Sequence, residues 1–216
     1  MPFHLRRAVA TDIGQLADVF FSGFRKDGVM SRCFPEKPSV RQFVLDGLVR
    51  DLLDPNVYLV AVVDDSIAGE PIIAYANWVG PRPPQPLEIT DDGTNQPSTS
   101  SEGLSLYPAD GDDPALASFF FTELRKRRER NMAGRTCFYL AALVCHDEHQ
   151  GRGAGGMLMR YGVDLAEKTK GDIYVEASPP GVPIYKKFGF REIDRLVVLN
   201  GTFTELIMLR EYVNEQ

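Results

Sequence analysis

The chain of 216 residues contains few of the residue types that build disulfide frameworks or metal centres. Its three cysteines, Cys33, Cys137 and Cys145, are odd in number and lack the spacing of paired bridges or zinc ligands. Free thiols of this kind favour a reducing compartment. We therefore expect neither a disulfide framework nor a cysteine-bound metal.

Histidine is also scarce, with three in all, and two of them lie in the stretch His146-Asp147-Glu148-His149. This cluster has two interpretations, metal ligands or a polar loop between a strand and the glycine-rich segment that follows. The polar loop is the commoner arrangement, and neither His4 nor a cysteine completes a ligand set at zinc spacing. The sequence therefore predicts no metal site.

Long apolar runs and an excess of positive charge are both lacking. No run reaches the roughly 20 residues of a membrane-spanning helix, and residues 1–12 carry charge without the apolar stretch of a signal peptide. Lysine and arginine total 24 against 30 acidic residues, a formal charge of −6, which argues against nucleic acid or an anionic membrane as main partner. We expect a cytoplasmic protein, with a nuclear location still open.

What the chain does contain is an alternation of helical and strand patterns. Apolar residues make up 44% of the sequence, enough for one sizeable core, so residues 1–216 are expected to form a single α/β domain. The patterns predict strands at 4–9, 57–63, 72–79, 137–145, 173–177, 191–199 and 202–210, and helices after Thr11-Asp12 and at 40–53, 115–130 and 157–168. Asn200-Gly201 is the strongest signal for a two-residue hairpin turn.

Residues 81–114 interrupt this alternation. The segment is rich in proline, serine, threonine and acidic residues, and it has few apolar side chains to bury. Two interpretations are open: a tolerated surface insertion, which costs little closure entropy, or a lid over a substrate. The composition favours a surface insertion in the domain.

The most informative segment runs from Gln150 to Gly156 and reads Gln-Gly-Arg-Gly-Ala-Gly-Gly. Because it lies between a predicted strand and a predicted helix, it gathers unpaired backbone N–H groups at the positive end of a helix, where phosphates bind. Read as G-x-G-x-x-G with Glu176 roughly twenty residues on, it is also a weak dinucleotide fingerprint. Only about 60 residues follow the glycines, too few for a doubly wound nicotinamide domain. The segment therefore predicts a site for a pyrophosphate-bearing cofactor.

Two motifs together resemble the GNAT superfamily of N-acetyltransferases. The segment Gln150-x-x-Gly153-x-Gly155 resembles its acyl-CoA signature, Q/R-x-x-G-x-G/A. Further along, Ile184-Tyr185-Lys186-Lys187-Phe188-Gly189-Phe190 resembles the family's L-Y-x-K-x-G-F. The resemblance covers residues 137–198, and the run that includes Glu176-Ala177-Ser178 looks most like fungal members.

The resemblance implies a mostly antiparallel central sheet flanked by helices, two splayed central strands, and acetyl-CoA as acyl donor. The backbone of Leu143, Val144 and Cys145 would pair with the pantetheine arm, a role that does not need the thiol as a nucleophile. Tyr185 is the expected general acid, since a phenol can protonate a leaving thiolate. The other cofactor-binding residues that the resemblance implies are Gln150, Gly151, Arg152, Gly153, Ala154, Gly155, Gly156 and Ser178.

The general base departs from the pattern of histone-type members. Those members carry a glutamate eleven residues before the signature glutamine, at the position of Tyr139. A tyrosine cannot serve near pH 7 without a large pKa shift, so the base would be a water relay or a carboxylate elsewhere, with Glu176 nearest in sequence. The resemblance implies an acceptor site lined by Phe24, Phe34, Asn77, Trp78, Tyr139 and Glu176, although Trp78 equally suits an ordinary core position.

Aromatic lining with few fixed carboxylates favours a small, partly apolar amine over a basic histone tail as acceptor. The sequence therefore predicts an acetyl-CoA-dependent N-acetyltransferase that moves the acetyl group directly to a primary amine of a small molecule. Two alternatives remain, a non-catalytic acyl-CoA-binding or sensing module and a nicotinamide-dependent oxidoreductase. The oligomeric state is left open.

Overall fold

The computed structural model describes residues 2–81, 87–89, 95–97 and 105–213. Its strands are β1 (Phe3–Arg7), β2 (Val57–Asp64), β3 (Ile72–Val79), β4 (Leu87–Ile89), β5 (Asn95–Pro97), β6 (Cys137–Cys145), β7 (Asp172–Ala177), β8 (Arg191–Val198) and β9 (Phe203–Arg210). Its helices are α1 (Ile13–Phe24), α2 (Met30–Cys33), α3 (Pro38–Leu53), α4 (Pro114–Met132), α5 (Ala154–Lys168) and α6 (Val182–Lys187).

Seven strands form one mixed sheet in the order β1-β2-β3-β6-β7-β9-β8, and β4 pairs with β5 separately. In the large sheet β6 and β7 are parallel, whereas the other neighbouring pairs are antiparallel. The parallel pair follows from the crossover through α5, since parallel neighbours need a long connection. The predicted mostly antiparallel sheet with flanking helices is confirmed.

Helices cover both faces of the sheet, which explains why its central strands are apolar along most of their length. Trp78 of β3 packs in a core with Leu158 and Met159 of α5. Tyr75 of the same strand packs on the other face, in a core with residues of α1 and α3. Because side chains alternate along a strand, Asn77 lies on the face of Tyr75 and not on that of Trp78.

Two of the boundaries that differ from the sequence prediction follow from backbone geometry. Helix α5 begins at Ala154, inside the glycine segment, because Gly153 precedes it with a left-handed φ of 99°. The β8–β9 connection is longer than the predicted two-residue turn: Val198 pairs with Phe203, which leaves residues 199–202 as the loop. Leu199, Asn200 and Gly201 all have positive φ there, so Asn200-Gly201 does mark the turn, but the turn includes its neighbours.

The predicted insertion at 81–114 lies largely outside the described residues. Its last part is described and is anchored: the Tyr107 ring stacks on Phe121 with centroids 6.0 Å apart, and the backbone N–H of Asp112 donates to the carbonyl of Arg32 at 2.8 Å. Asp113 caps α4 by accepting from the N–H of Leu116 at 3.0 Å. Over the ranges that the structure covers, none of the helices is long and apolar enough to cross a membrane.

Candidate active site

The sheet opens between β6 and β7. Backbone pairing of these parallel strands ends at Leu140 opposite Val175. On the other edge of β6 the register with β3 shifts at Ala141, a β-bulge of the kind that bends a strand and increases its twist. The edge of β6 from 141 to 145 is thereby available to pair with an extended ligand. This opening is the predicted splay of the central strands.

A cavity of about 720 Å³, which we call the cofactor cavity, lies along this open edge. The end of α1, the glycine segment and α6 form the rest of its wall. The predicted cofactor-binding residues that line it are Leu143, Val144, Cys145, Gln150, Gly151, Gly153, Ala154, Gly155, Gly156, Ser178 and Tyr185. The prediction missed the contribution of α1. Ser22 and Gly23 of this helix line the cavity, and so does Lys26, which follows the helix.

The glycines of the segment serve different purposes. Gly151 and Gly153 adopt left-handed φ values of 75° and 99°, which turn the chain into α5 and which other residues rarely adopt. The first N–H groups of α5 then have no partner within the helix and lie at its positive end. On the opposite wall, a Cβ at Gly23 would lie 2.8 Å from the carbonyl oxygen of Cys145, so α1 can approach β6 only without a side chain there.

Arg152 is the one predicted cofactor residue whose side chain is engaged elsewhere. Its guanidinium lies 3.0 Å from Oδ2 of Asp64 and 2.7 Å from Nδ1 of His149, and it stacks over the Phe3 ring at 4.8 Å. Any contribution of Arg152 to cofactor binding is therefore limited to its backbone. Gln150, in contrast, ties the loop to the open strand, because its Nε2 donates to the carbonyl of Cys145 at 3.3 Å.

A second cavity of about 450 Å³, which we call the acceptor cavity, lies on the face of the sheet that carries α1 and α3. Five of the predicted acceptor residues line it, namely Phe24, Phe34, Asn77, Tyr139 and Glu176. The wall is strongly aromatic, with further rings from Phe20, Phe43, Tyr75, Phe120, Phe121 and Phe203. The helices α1, α3 and α4 and the strands β3 and β9 bring these rings together from distant parts of the chain.

Trp78 does not line the acceptor cavity, and this corrects the sequence prediction. Its side chain is fully buried on the opposite face of the sheet, where a Cβ at Gly162 of α5 would lie only 2.1 Å from its Cζ2. The reason is the strand alternation: Asn77 and Trp78 are neighbours, so they point to opposite faces. Trp78 is a core residue.

Tyr139, at the position where histone-type members carry a glutamate, is held by two charged side chains. Its hydroxyl donates to Oε2 of Glu176 at 2.7 Å, and the Arg128 guanidinium lies 4.2 Å from its ring centre. Arg128 is also 3.7 Å from Oε2 of Glu176. Burial raises the pKa of Tyr139, so this phenol stays protonated and acts as a donor at neutral pH.

The expectation of few fixed carboxylates is wrong. Besides Glu176, the acceptor cavity is lined by Asp27, Asp51 and Glu205. Glu205 is 6% exposed, and burial, together with Asp27 and Glu176, raises its pKa, which favours its neutral form. Its position was detectable from the sequence, since it shares a strand face with Phe203 and Ile207 and interrupts an apolar alternation.

Asp51 of α3 is the carboxylate that no sequence signal indicated. Its Oδ2 accepts from Nδ2 of Asn77 at 2.5 Å. Burial raises the pKa of Asp51 to about 6, despite the opposing effects of the Asn77 hydrogen bond and of Arg50. The residues around Asp51 at the end of α3 are polar, so the sequence suggests an exposed position. Only the packing of α3 against β3 brings Asp51 to the cavity.

The two cavities meet at a small group of shared residues. Phe24, Asp27, Leu143, Ser178 and Tyr185 line both of them. The Tyr185 side chain is 5% exposed, and burial, followed by the nearby Glu205, raises its pKa. The predicted general acid therefore lies at the junction of the two cavities.

The histidine cluster lies on the loop before the glycine segment. His146, Glu148 and His149 each offer one ligand atom, and these atoms lie within 4.8 Å of one another. Protein contacts engage two of these side chains: the N–H of Glu148 donates to Nδ1 of His146 at 3.4 Å, and Arg152 contacts Nδ1 of His149. The absence of a metal stays a prediction.

Sequence comparison finds acetyltransferases that are similar to this chain. The family model "Acetyltransferase (GNAT) domain" matches residues 121–205, which include the open strand, the glycine segment and α6. An acetyltransferase of Stachybotrys chartarum is 27% identical over 210 residues, covering 90% of this chain and 83% of the relative. Over residues 121–205 the chain is thus similar to GNAT acetyltransferases. The GNAT family uses acetyl-CoA, which agrees with the predicted cofactor class.

Solved structures described as acetyltransferases share the fold at low sequence identity. A Corynebacterium glutamicum protein described as histone acetyltransferase HPA2 and related acetyltransferase has a TM-score of 0.63 at 16% identity, with 100% and 99% of the two chains covered. A mosquito arylalkylamine N-acetyltransferase like 5b has a TM-score of 0.60 at 14% identity and coverage of 96% and 99%. An agmatine N-acetyltransferase mutant has a TM-score of 0.63 at 13% identity and coverage of 97% and 99%.

Proposed function

We propose that this protein transfers an acetyl group directly from acetyl-CoA to a primary amine of a small molecule. The observation that carries the proposal is the position of Tyr185, which lines the cofactor cavity and the acceptor cavity at their junction. Leu143 and Ser178 share this position and supply backbone and hydroxyl groups close to it. A purely structural tyrosine would not need to border both cavities.

The cofactor cavity suits CoA in its chemistry. Side-chain-free glycines and the N-terminus of α5 can accept a pyrophosphate, and Lys26 and Lys187 in the wall add positive charge. The wall is already tight at Gly155, where a Cβ would lie 3.2 Å from Cδ1 of Ile184. The open edge of β6 at 143–145 can pair with an amide-containing arm as an added strand does.

Acetyl-CoA, when bound, supplies an acetyl group activated as a thioester. The protein's own residues orient the reactants and move protons. Tyr185 keeps its phenolic proton at neutral pH, because burial raises its pKa, and it can donate that proton to the departing sulfur. In the same step the amine nitrogen bonds to the acetyl carbon and loses one proton to a base, directly or through water.

The acceptor cavity supports an amine with an apolar, preferably aromatic, body. Its aromatic wall can bury such a body, while the carboxylates of Asp51 and Glu176 can attract an ammonium group. Two of the structural neighbours are described as arylalkylamine and agmatine N-acetyltransferases, which agrees with small amines as the class. At about 450 Å³ the cavity has the size of ordinary small-molecule sites.

A two-step experiment tests the proposal. Calorimetry compares acetyl-CoA, CoA and NADPH as ligands, and a thiol-release assay with acetyl-CoA then compares arylalkylamines, linear diamines, agmatine and a histone-tail peptide. We expect binding of both CoA species, none of NADPH, and thiol release that depends on an arylalkylamine. Acetyl-CoA binding without thiol release from any amine would instead identify a non-catalytic acyl-CoA-binding module.

A further inference from the structure

Asp51 and Asn77 form a fixed polar pair in the wall of the acceptor cavity. The Asn77 amide nitrogen donates to the Asp51 carboxylate at 2.5 Å, and both residues line the cavity. Asn77 is 7% exposed, and its Oδ1 is buried without a hydrogen-bond partner among the described residues. A buried acceptor of this kind costs free energy unless an N–H donor reaches it. The pair therefore offers two acceptor groups to a ligand that carries N–H groups.

The Asp51–Asn77 pair lies beside the open part of β6, where the acetyl transfer is expected to take place. Asn77 pairs with Ala142 of β6, next to the bulge at Ala141 and one residue before Leu143, which lines both cavities. Leu140, just before the bulge, is the last residue of β6 that pairs with β7. Asn77 and Asp51 thus border the open part of β6 from the acceptor side.

We propose that Asp51 is the general base of this enzyme, held in place by Asn77 as a positioning residue. This inference rests on the proposed function. It names a protein group for the proton transfer that the sequence left to a water relay or to a carboxylate elsewhere. A bound ammonium group first loses one proton to solvent and becomes the neutral amine. The amine nitrogen then forms a bond to the acetyl carbon, the carbon–sulfur bond breaks, and one N–H proton passes to Asp51, directly or through one water. Tyr185 gives its proton to the sulfur and recovers one by way of solvent as Asp51 is deprotonated, so protons balance.

The other carboxylates of the cavity are less suited to this role. Glu176 already accepts from the Tyr139 hydroxyl and lies 3.7 Å from Arg128. Asp27 accepts from two backbone N–H groups at the start of α2. Glu205 is buried among acidic neighbours that raise its pKa, which favours the protonated form, and a protonated carboxyl group cannot act as the base.

Burial and the charged groups around Asp51 together set its pKa to about 6, close to neutral pH. On its own helix Arg50 lowers its pKa and Asp54 raises it, and from β3 the Asn77 amide lowers it. Tyr75 from β3 also faces it, and the remaining charged or acidic groups in the wall of the cavity are Asp27, Arg128, Glu176 and Glu205. With a pKa of about 6, Asp51 is mostly ionised at pH 7 and can still bind a proton during turnover.

The test compares Asp51→Asn with Asp46→Asn, a matched change at an exposed position of the same helix. With the best amine from the screen, Asp51→Asn should lower kcat by about 10²-fold or more, the low end of what a positioned base contributes. Its acetyl-CoA affinity should not change, and Asp46→Asn should match the wild type. In the wild type, kcat should increase with pH around pH 6, as Asp51 becomes ionised. This acidic limb of the pH profile should disappear in Asp51→Asn.

Asn77→Leu provides a second variant with a signature that a merely structural role would not produce. Because the Asn77 hydrogen bond lowers the pKa of Asp51, its removal should move the acidic limb of the kcat profile to higher pH. Unchanged kcat and an unchanged limb in Asp51→Asn would overturn the assignment while the acetyltransferase function stands. Failure of every amine in the wild type would overturn the proposed function itself, and Asp51 as base with it.

Discussion

The Tyr139 hydroxyl donates to Oε2 of Glu176 at 2.7 Å. Tyr139 lies in the part of β6 that still pairs with β7, and Glu176 is the first residue of β7 after that pairing ends. Arg128 of α4 lies over the same tyrosine ring. This contact fixes Tyr139 as a donor at a position where related enzymes use a carboxylate. This contact agrees with the proposal that the base is a carboxylate from another part of the chain, Asp51 of α3.

Replacing Tyr185 with phenylalanine removes one hydroxyl and little volume. If this hydroxyl protonates the leaving thiolate, kcat and kcat/KM should both fall by about 10²–10⁴, while acetyl-CoA affinity stays near the wild-type value. Steady-state kinetics and calorimetry measure the two separately. Wild-type turnover, with chemistry shown to be rate-limiting, would mean that the hydroxyl only packs or binds.

Gly156→Val tests the cofactor cavity with little cost to the fold. A Cβ at Gly156 meets no protein atom within 4 Å, and valine is no worse than glycine in a helix. Because Gly156 lines the cofactor cavity, the added side chain should weaken acetyl-CoA binding at least tenfold, or about 1.4 kcal/mol. Calorimetry measures the affinity. Gly14→Val in the first turn of α1, also in open space, is the control, and equal affinities in the two variants would contradict the site.

Cys145 lines the cofactor cavity, but its thiol should not take part in the reaction. Burial raises the pKa of Cys145 to about 11, so only about one molecule in 10⁴ carries the thiolate at pH 7. Cys145→Ala should therefore keep kcat within about threefold of the wild type. Mass spectrometry of the protein after incubation with acetyl-CoA should find no acetylated Cys145; a covalent adduct together with an inactive alanine variant would reverse this view.

Gly162→Ala tests the packing of α5 on the sheet. The added Cβ would lie 2.1 Å from Cζ2 of Trp78, which is fully buried, so the helix must shift. We expect the free energy of unfolding to fall by about 1–3 kcal/mol, the usual cost of overpacking a core. Urea unfolding measures it. Gly14→Ala, which meets no atom within 4 Å, should leave stability equal or slightly higher, and a similar gain for Gly162→Ala would contradict the contact.

Much of the fold was predictable because its signals are local. The periods of apolar residues located the helices and strands of the large sheet, and β6 was predicted with its observed bounds, Cys137–Cys145. Bounds that depend on backbone geometry were less accurate. Gly153 starts α5 earlier than the apolar pattern does, and a run of positive φ values from Leu199 to Gly201 lengthens the last hairpin loop.

The sequence by itself determined the glycine segment before α5 and the motif that contains Tyr185, since a glycine-rich turn before a helix and a short motif are each contiguous in the chain. Only the tertiary structure decided the acceptor side. It put Trp78 in the core and Asn77 in the cavity, and it brought Asp51 from α3 within 2.5 Å of Asn77. Such contacts depend on which face of each strand and helix is covered. No local pattern specifies that, because it follows from the packing of elements far apart in sequence.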